Sequence, residues 1–546
     1  MSETTNSVDE AASDREGDRR LVSDIQDPPS GFAGILRQIG PGLIIAANIV
    51  GSGELIMTTK TGASAGTVLL WLILLGCMVK VFVQLELGRF TISSGETTLT
   101  ALNRVPGPRS RRINWVVALW FIMALATVGQ LGGIVGGVSE AVAITIPIYG
   151  DYQEAVRLPA AENILSYAEI EASDPSSTQL NWVADDLDKL SQKDALLAQA
   201  RKTASAEGDQ RAKLFAELKK MTTRKTWDNQ IWAVIIGLFT AVTLFLGRYR
   251  FIQNFSVVLV VSFTFITIGN VIALQWTPYA LDSSDIIRGL SFGLPERADS
   301  IIIALATFGA IGVGASELVM YPYWCLEKGY AKAVGPKDES DAWLTRATGW
   351  IRVMKYDALA SMAIYTLSTV AFFLMGAAVL HPVGRNPDNH RLVITLAESY
   401  VPVFGDFGKI LLLGGAIAVL YSTYLVANAS NSRVLADFTA VIGLSDRRLE
   451  SKQRQFLIGA FSFALPLICV VIYLLVSAPV LLMIIGGICQ SLLLPVLGVS
   501  SLYFRYRETD SRLRPGRLWD TALITSCIGM LIAGSWGVYN VYANIM

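Results

Sequence analysis

The sequence predicts an all-α membrane protein of about eleven spans, arranged as an inverted repeat of five helices plus five, with one helix added. Three observations carry this. First, 52% of the 546 residues are hydrophobic and 16% are charged, whereas a soluble domain carries about 25% charged residues. Second, apolar runs of roughly 18 residues or more recur along the chain, the length that crosses a bilayer. Third, the stretch "GSGELIM" at 51–57 returns as "GASELVM" at 314–320.

The apolar runs place spans near 36–59, 68–92, 113–147, 229–247, 254–275, 299–325, 357–380, 408–436, 455–476, 479–503 and 519–543. The third span is expected to be shorter than its apolar stretch. The first 35 residues read as a polar, disordered cytoplasmic tail with no apolar h-region, so no cleaved signal peptide is expected. Basic residues collect in the loops "NRVPGPRSRR", "RYRFIQN" and "RYRETDSRLRPGR", while "VSAP" carries none. The positive-inside rule then puts the N-terminus inside and, with an odd number of spans, the C-terminus outside. The expected setting is a bacterial inner membrane or another plasma membrane, with lipid as the surrounding partner. Between the third and fourth spans, residues 150–228 turn polar and rich in helix formers. They predict a small, mostly helical extracytoplasmic insertion acting as a cap or spacer, with partner binding as the alternative.

Zero net charge points to no nucleic-acid partner. The five cysteines (77, 325, 469, 489 and 527) sit in or beside apolar runs, without the paired spacing of a disulfide framework or a zinc site. There is no nucleophile–base arrangement, phosphate loop or redox motif, so an enzyme is not expected, and no cofactor.

The repeated motif carries the functional reading. Its copies fall in the first and sixth spans, so the second copy enters from the opposite side of the membrane, the layout of inverted-repeat transporters. Each copy sets a Gly/Ser cluster beside a carboxylate. An ionisable group at mid-membrane costs on the order of 3 kcal/mol on insertion scales, so it faces a cavity or a partner. Unwound backbone survives in hydrocarbon only where something polar satisfies its carbonyls. Two broken helices would bring Glu54, Glu317 and free carbonyls toward one central cation. The alternative is a structural, hydrogen-bonded or proton-sharing Glu. Asn48 could add an amide oxygen or cap the broken helix. Met57 and Met320 each follow their Glu by three residues, on one helical face, as thioether ligands or as packing. Glu86 and Arg89 read as a structural ion pair. Lys80 reads as a snorkelling or paired lysine, with standing in for a coupling ion or neutralising a nearby Glu as the alternatives. Ser422, Thr423, Asn428, Ser430 and Asn431 read as helix packing, with an ion-pathway role as the alternative.

These stretches resemble a known family. "GPGLIIAANIVGSGELIMTTKTGAS" is similar to the first helix of the NRAMP divalent-metal transporters, which opens Gly-Pro-Gly-Leu and breaks at Asp-Pro-Gly-Asn. "LLWLILLGCMVKVFVQLELGRFTISSGETTL" and "VGQLGGIVGGVSEAVAI" resemble the second and third helices, "GASELVMYPYWCLE" the sixth, and "LPVLGVSSLYFRYR" the end of the tenth. The resemblance implies a LeuT-type (APC) fold and a secondary transporter, proton-coupled or uncoupled, with a divalent metal cation as substrate. It also implies changed chemistry. The metal-binding Asp and Asn of the first helix fall on Gly51 and Glu54. In the sixth, Ala315 keeps its carbonyl, and the family's Met falls on Leu318 without a gap or on Met320 with one. The third-helix Asp and Glu of the proton route fall on Gln130 and Gly133, and the ninth-helix Arg on Ala460. The tenth-helix Gln falls near Gly487, with Gln490 a turn away. His381 and His390 lie in an outer loop rather than after the Met. Carboxylates and carbonyls suit Mg²⁺, Mn²⁺ or Ca²⁺, and a thioether suits softer ions. A LeuT-fold carrier of an organic cation, and a non-transporting membrane sensor, are the alternatives.

Overall fold

The structure, a computed structural model, describes residues 25–174, 180–247, 249–295, 297–389, 391–445 and 452–545. Residues 1–24 of the expected N-terminal tail lie outside the described residues, as does His390; the rest of the tail, 25–35, is described and enters the helix Phe32–Gln38. Among the described residues nine helical stretches are long and apolar enough to cross a membrane. The first, Pro41–Ser94, holds two of the expected spans, parted where Gly66 turns at φ 61°. The fifth expected span appears as the helix Tyr249–Ala273, whose apolar stretch is Val260–Trp276. With these two the eleven expected spans are recovered. The third span runs unbroken over Trp115–Thr145, inside its apolar stretch 113–147 and only slightly shorter than it. Its 31 residues exceed the roughly 20 that a bilayer needs, so tilt or projection takes up the excess.

The two copies of the repeated motif fold differently. The sixth span is broken: one helix ends at Ala310, the chain is non-helical over 311–314, and a second helix, Ala315–Lys328, begins. Gly312 supplies the turn, at φ 56°, where a Cβ would be strained. The first span is not unwound as expected. Its helix Pro41–Ile49 passes into a π-helix over Val50–Thr58 and resumes at Thr59–Ala65. The reason lies in its glycines, which keep negative φ and serve close packing instead. A Cβ on Gly51 would fall 1.8 Å from Thr423 Oγ1, and one on Gly53 would fall 2.8 Å from the Ala310 carbonyl. The first span is therefore pressed between the eighth span and the sixth-span break, and π-helical widening at such a place is common at functional sites.

Buried carboxylates fasten the spans around this centre. Asp357, on the long helix Asp341–Met375, accepts hydrogen bonds from the Gly40 and Gly42 amides at 2.8 and 2.6 Å, capping the start of the first span. Tyr321 of the sixth span donates to the same carboxylate at 3.1 Å. The Glu86–Arg89 ion pair is present, and Arg505 joins it at 3.3 Å while also pairing with Asp520.

The polar stretch after the third span folds into helices Ala161–Ser173, Asn181–Asp188, Lys193–Ala204 and Gly208–Thr222. They share a small core of Ile164, Val183, Leu187, Leu196 and Leu218. Trp182 fixes them to the loop after the seventh span: its indole donates to the Val383 carbonyl at 3.1 Å, and Arg385 lies 4.6 Å over its ring. Arg391 bonds Asp186 at 2.9 Å.

Candidate metal-binding site

The restart of the sixth span places Glu317 in the first turn of its helix, where the macrodipole favours a negative charge. Asn48, at the end of the first α-helical segment of span one, donates its amide N–H to Glu317 Oε1 at 2.9 Å. Ser316 Oγ donates to Glu317 Oε2 at 2.9 Å and stands 3.0 Å from Gln490 Oε1. Gln490 in turn donates to Gln130 Oε1 at 2.7 Å. Four spans thus converge on one hydrogen-bonded cluster. It surrounds a cavity of about 20 Å³ whose wall includes Glu317, Asn48, Gln130, Gln490, Met320 and Asn431. That is room for about one water molecule, and hence for one dehydrated ion. Asn48 Oδ1 is buried and has no hydrogen-bond partner in the protein. An orphaned acceptor in such a place calls for an explanation.

Glu54 goes elsewhere. Its Oε1 accepts from the Gly312 amide at 3.1 Å and from Thr369 Oγ1 at 3.0 Å, at the break itself, and it is not in the cavity wall. The two carboxylates therefore do not meet at one point as the sequence reading expected. Lys80 explains why. Its buried ammonium donates to the Phe308 carbonyl and, at 2.7 Å, to the Ile311 carbonyl, the groups that the break sets free. A fixed cation of the protein already satisfies them, in electrostatic reach of both Glu54 and Glu317.

The remaining positions separate on geometry. Both Met320 and Leu318 are buried in the apolar core, and of the two only Met320 lines the cavity. Met57 is in the core; its carbonyl accepts from Thr61 and Thr307. Ala315 opens the helix and is buried, without reaching the cavity wall; Gly51 serves the contact with Thr423. A Cβ at Gly133 would meet the Pro479 carbonyl at 2.5 Å, so no acidic side chain fits there. Gly487 packs on Ala306, leaving Gln490 to reach the cluster. Ala460 is exposed on the bundle surface. His381 bonds the Ala63 carbonyl at 2.9 Å, away from the cavity. Sequence reasoning missed Thr127 in the cavity wall, three residues before Gln130 on the same helix. Among the described residues no group of three His, Cys, Asp or Glu side chains is placed to hold a metal. Any cation here would rest on one carboxylate and neutral donors.

Comparison with known proteins agrees with this architecture. A family model described as natural resistance-associated macrophage protein-like matches residues 221–540, more than half of the chain. A search of curated proteins found no match. The solved structures include a manganese transporter of Eremococcus coleocola. A mutant of that transporter with one histidine changed to alanine has a TM-score of 0.50 at 14% identity, over 95% of this chain and 98% of that one. Another, with one glutamate changed to alanine, has a TM-score of 0.50 at 13% identity over the same shares. Mhp1, a nucleobase-cation-symport-1 family transporter, has a TM-score of 0.47 at 14% identity, over 94% of this chain and 95% of that one. At such identities the likeness is one of fold, that of the LeuT-type transporters. The chain, an integral membrane protein, belongs to the NRAMP family.

Proposed function

We propose that this protein is a secondary transporter that carries a divalent metal cation by alternating access, with a hard ion such as Mn²⁺, Mg²⁺ or Ca²⁺ as the favoured substrate. The observation that carries the reading is the buried, unpartnered Asn48 Oδ1 beside the Glu317 carboxylate on a cavity of about 20 Å³. Both groups offer acceptor oxygens. Gln490 Oε1, Gln130 Oε1 and the hydroxyls of Thr127 and Thr423 add neutral oxygens. Such a set suits hard divalent ions, and Met320 supplies one softer donor. The E. coleocola protein, named a manganese transporter, is consistent with a divalent substrate. An organic cation is disfavoured because the cavity is too small for one.

In this reading Glu317 neutralises the cargo and Glu54 belongs to the break. The half-helices of the sixth span can then shift about Gly312 while Lys80 keeps the freed carbonyls satisfied. Gln130, Gly133 and Ala460 carry no titratable group, so transport would not draw on protons through those positions. The basic loops put the N-terminus inside and the insertion outside.

Mn²⁺ uptake by proteoliposomes tests the proposal. Glu317→Gln keeps the hydrogen-bonding outline but removes the charge. At about 4 Å and an effective dielectric constant of about 20, that charge is worth roughly 4 kcal/mol for each unit of the ion's charge, so at least about a thousandfold in affinity. Uptake should fall to background. Uptake in Glu317→Gln within about threefold of the parent would refute the assignment, since roughly 4 kcal/mol cannot vanish into so small a change.

A further inference from the structure

A second cavity, of about 690 Å³, lies between the helical insertion and the membrane part. Its roof comes from 158–163, Lys219 and 222–227, and its floor from Glu140 of the third span, Lys60 of the first, Asn386 and Asp388 of the loop after the seventh, and Tyr473 of the ninth span. The charges here are not evenly used. The Lys60 ammonium is satisfied by Asn386 Oδ1 at 3.1 Å and the Pro387 carbonyl at 2.5 Å. At the rim, Lys219 pairs with Glu162 at 3.6 Å and Arg224 with Glu154 at 3.5 Å. Glu140 is different. It is only 2% exposed, and its Oε2 has no hydrogen-bond partner in the protein, while Tyr152 bonds the carboxylate and Asp388 is within electrostatic reach. The floor therefore has an acceptor to spare and its cation is spoken for.

We propose that this vestibule is an entry site for a hydrated divalent cation, held at the Glu140 carboxylate. The inference rests on the cation reading of the inner site and adds a second binding position to it. The cavity holds on the order of twenty waters, so a metal ion can sit there with its hydration shell largely intact. At the inner cavity there is room for a bare ion only. Glu140 and Gln130 lie on one unbroken helix, about 15 Å apart along its axis. The third span thus runs from the site that accepts the hydrated ion to the site that takes it stripped. The insertion gains a role, since its helices form the roof that makes a vestibule of an otherwise open surface.

Terbium(III), a hard ion whose emission is sensitised by nearby indoles, is the probe. The full chain in detergent would be titrated with excitation of tryptophan, for the parent, Glu140→Gln, Glu317→Gln and Trp227→Phe. Trp227 is exposed and lines the vestibule; among the residues of the inner cavity wall there is no tryptophan. Emission should saturate in the parent, be displaced by Mn²⁺, and persist in Glu317→Gln. Apparent affinity should weaken at least tenfold in Glu140→Gln. In Trp227→Phe the emission should at least halve with an unchanged midpoint, and this variant keeps the test valid if Glu140→Gln folds poorly. An unchanged titration in Glu140→Gln, or full emission in Trp227→Phe, would overturn the entry site. So would loss of emission in Glu317→Gln alone. If Glu317→Gln transports normally while the emission still depends on Glu140, the inner-site reading fails and the entry site stands.

Discussion

Removing the ammonium of Lys80 tests how the break in the sixth span is held. Lys80→Met keeps the length of the side chain and its packing beside Phe308, over whose ring the ammonium lies at 4.8 Å. It leaves the carbonyls of Phe308 and Ile311 without their charged donor. A hydrogen bond from a charged group contributes about 1.5–3 kcal/mol. The change also removes a buried cation in electrostatic reach of Glu54, a smaller effect than the two lost hydrogen bonds. These effects overlap and do not add fully, so a total loss of about 2–4 kcal/mol is expected. Equilibrium unfolding in mixed detergent would measure it, alongside Glu54→Gln and the double variant. Because the loss arises partly from a stranded carboxylate, Glu54→Gln should recover about 1 kcal/mol or more in the Lys80→Met background. A Lys80→Met protein within about 0.5 kcal/mol of the parent, the range of an ordinary surface substitution, would refute the account of the break. So would strict additivity in the double variant.

Three further outcomes follow from the same geometry. Gly51→Ala drives a methyl group to 1.8 Å from Thr423 Oγ1, so it should lower stability by about 1–3 kcal/mol, and adding Thr423→Ala should restore part of the loss in the same unfolding assay. Met320→Leu removes the thioether from the cavity wall; calorimetry should show Cd²⁺ affinity falling about tenfold while Ca²⁺ affinity stays within about twofold. Asp510, in the loop between the last two spans, is held below the usual carboxylate range by its hydrogen bonds from Arg512, whose guanidinium also reaches the Glu339 carbonyl at 3.1 Å. A depressed folded-state pKa gives stability that is present above the ordinary Asp value and is lost as pH falls through the folded value. Hydrogen exchange of residues 335–341 should therefore quicken only below about pH 4 in the parent, and should be fast already at neutral pH in Asp510→Asn.

The spans were legible because hydrophobic length is a local property and the bilayer sets its scale. The break in the sixth span was legible for the same kind of reason, since a Gly/Ser cluster at 314–316 stands directly ahead of a carboxylate, although the turn itself falls just before it, at Gly312. The first copy of the motif misled because its glycines answer to distant partners. Gly51 meets Thr423 and Gly53 meets Ala310, contacts that no local pattern encodes. Lys80 was recognised as unusual, and standing in for an ion was among its readings, but the carbonyls it serves are 228 and 231 residues away. Asn48 was found beside the first copy of the motif, Gln130 and Gln490 through the family resemblance, and the structure brings them to one cluster with Glu317. Glu140 and Asp357 passed unremarked although they carry the same signal, an ionisable group in an apolar run. Each lies near a span end, where such a group is easily taken for a surface residue, yet both are buried.

The central claim is that Glu317 holds the metal cation. It is tested most directly by calorimetry of Mn²⁺ binding to the detergent-solubilised Glu140→Gln protein, which isolates the inner site, with and without Glu317→Gln. The account predicts a single bound Mn²⁺ per chain in the first and a weakening of at least about a hundredfold in the second. Equal affinities in the two, or no binding of Mn²⁺, Mg²⁺ or Ca²⁺ in either, would contradict it.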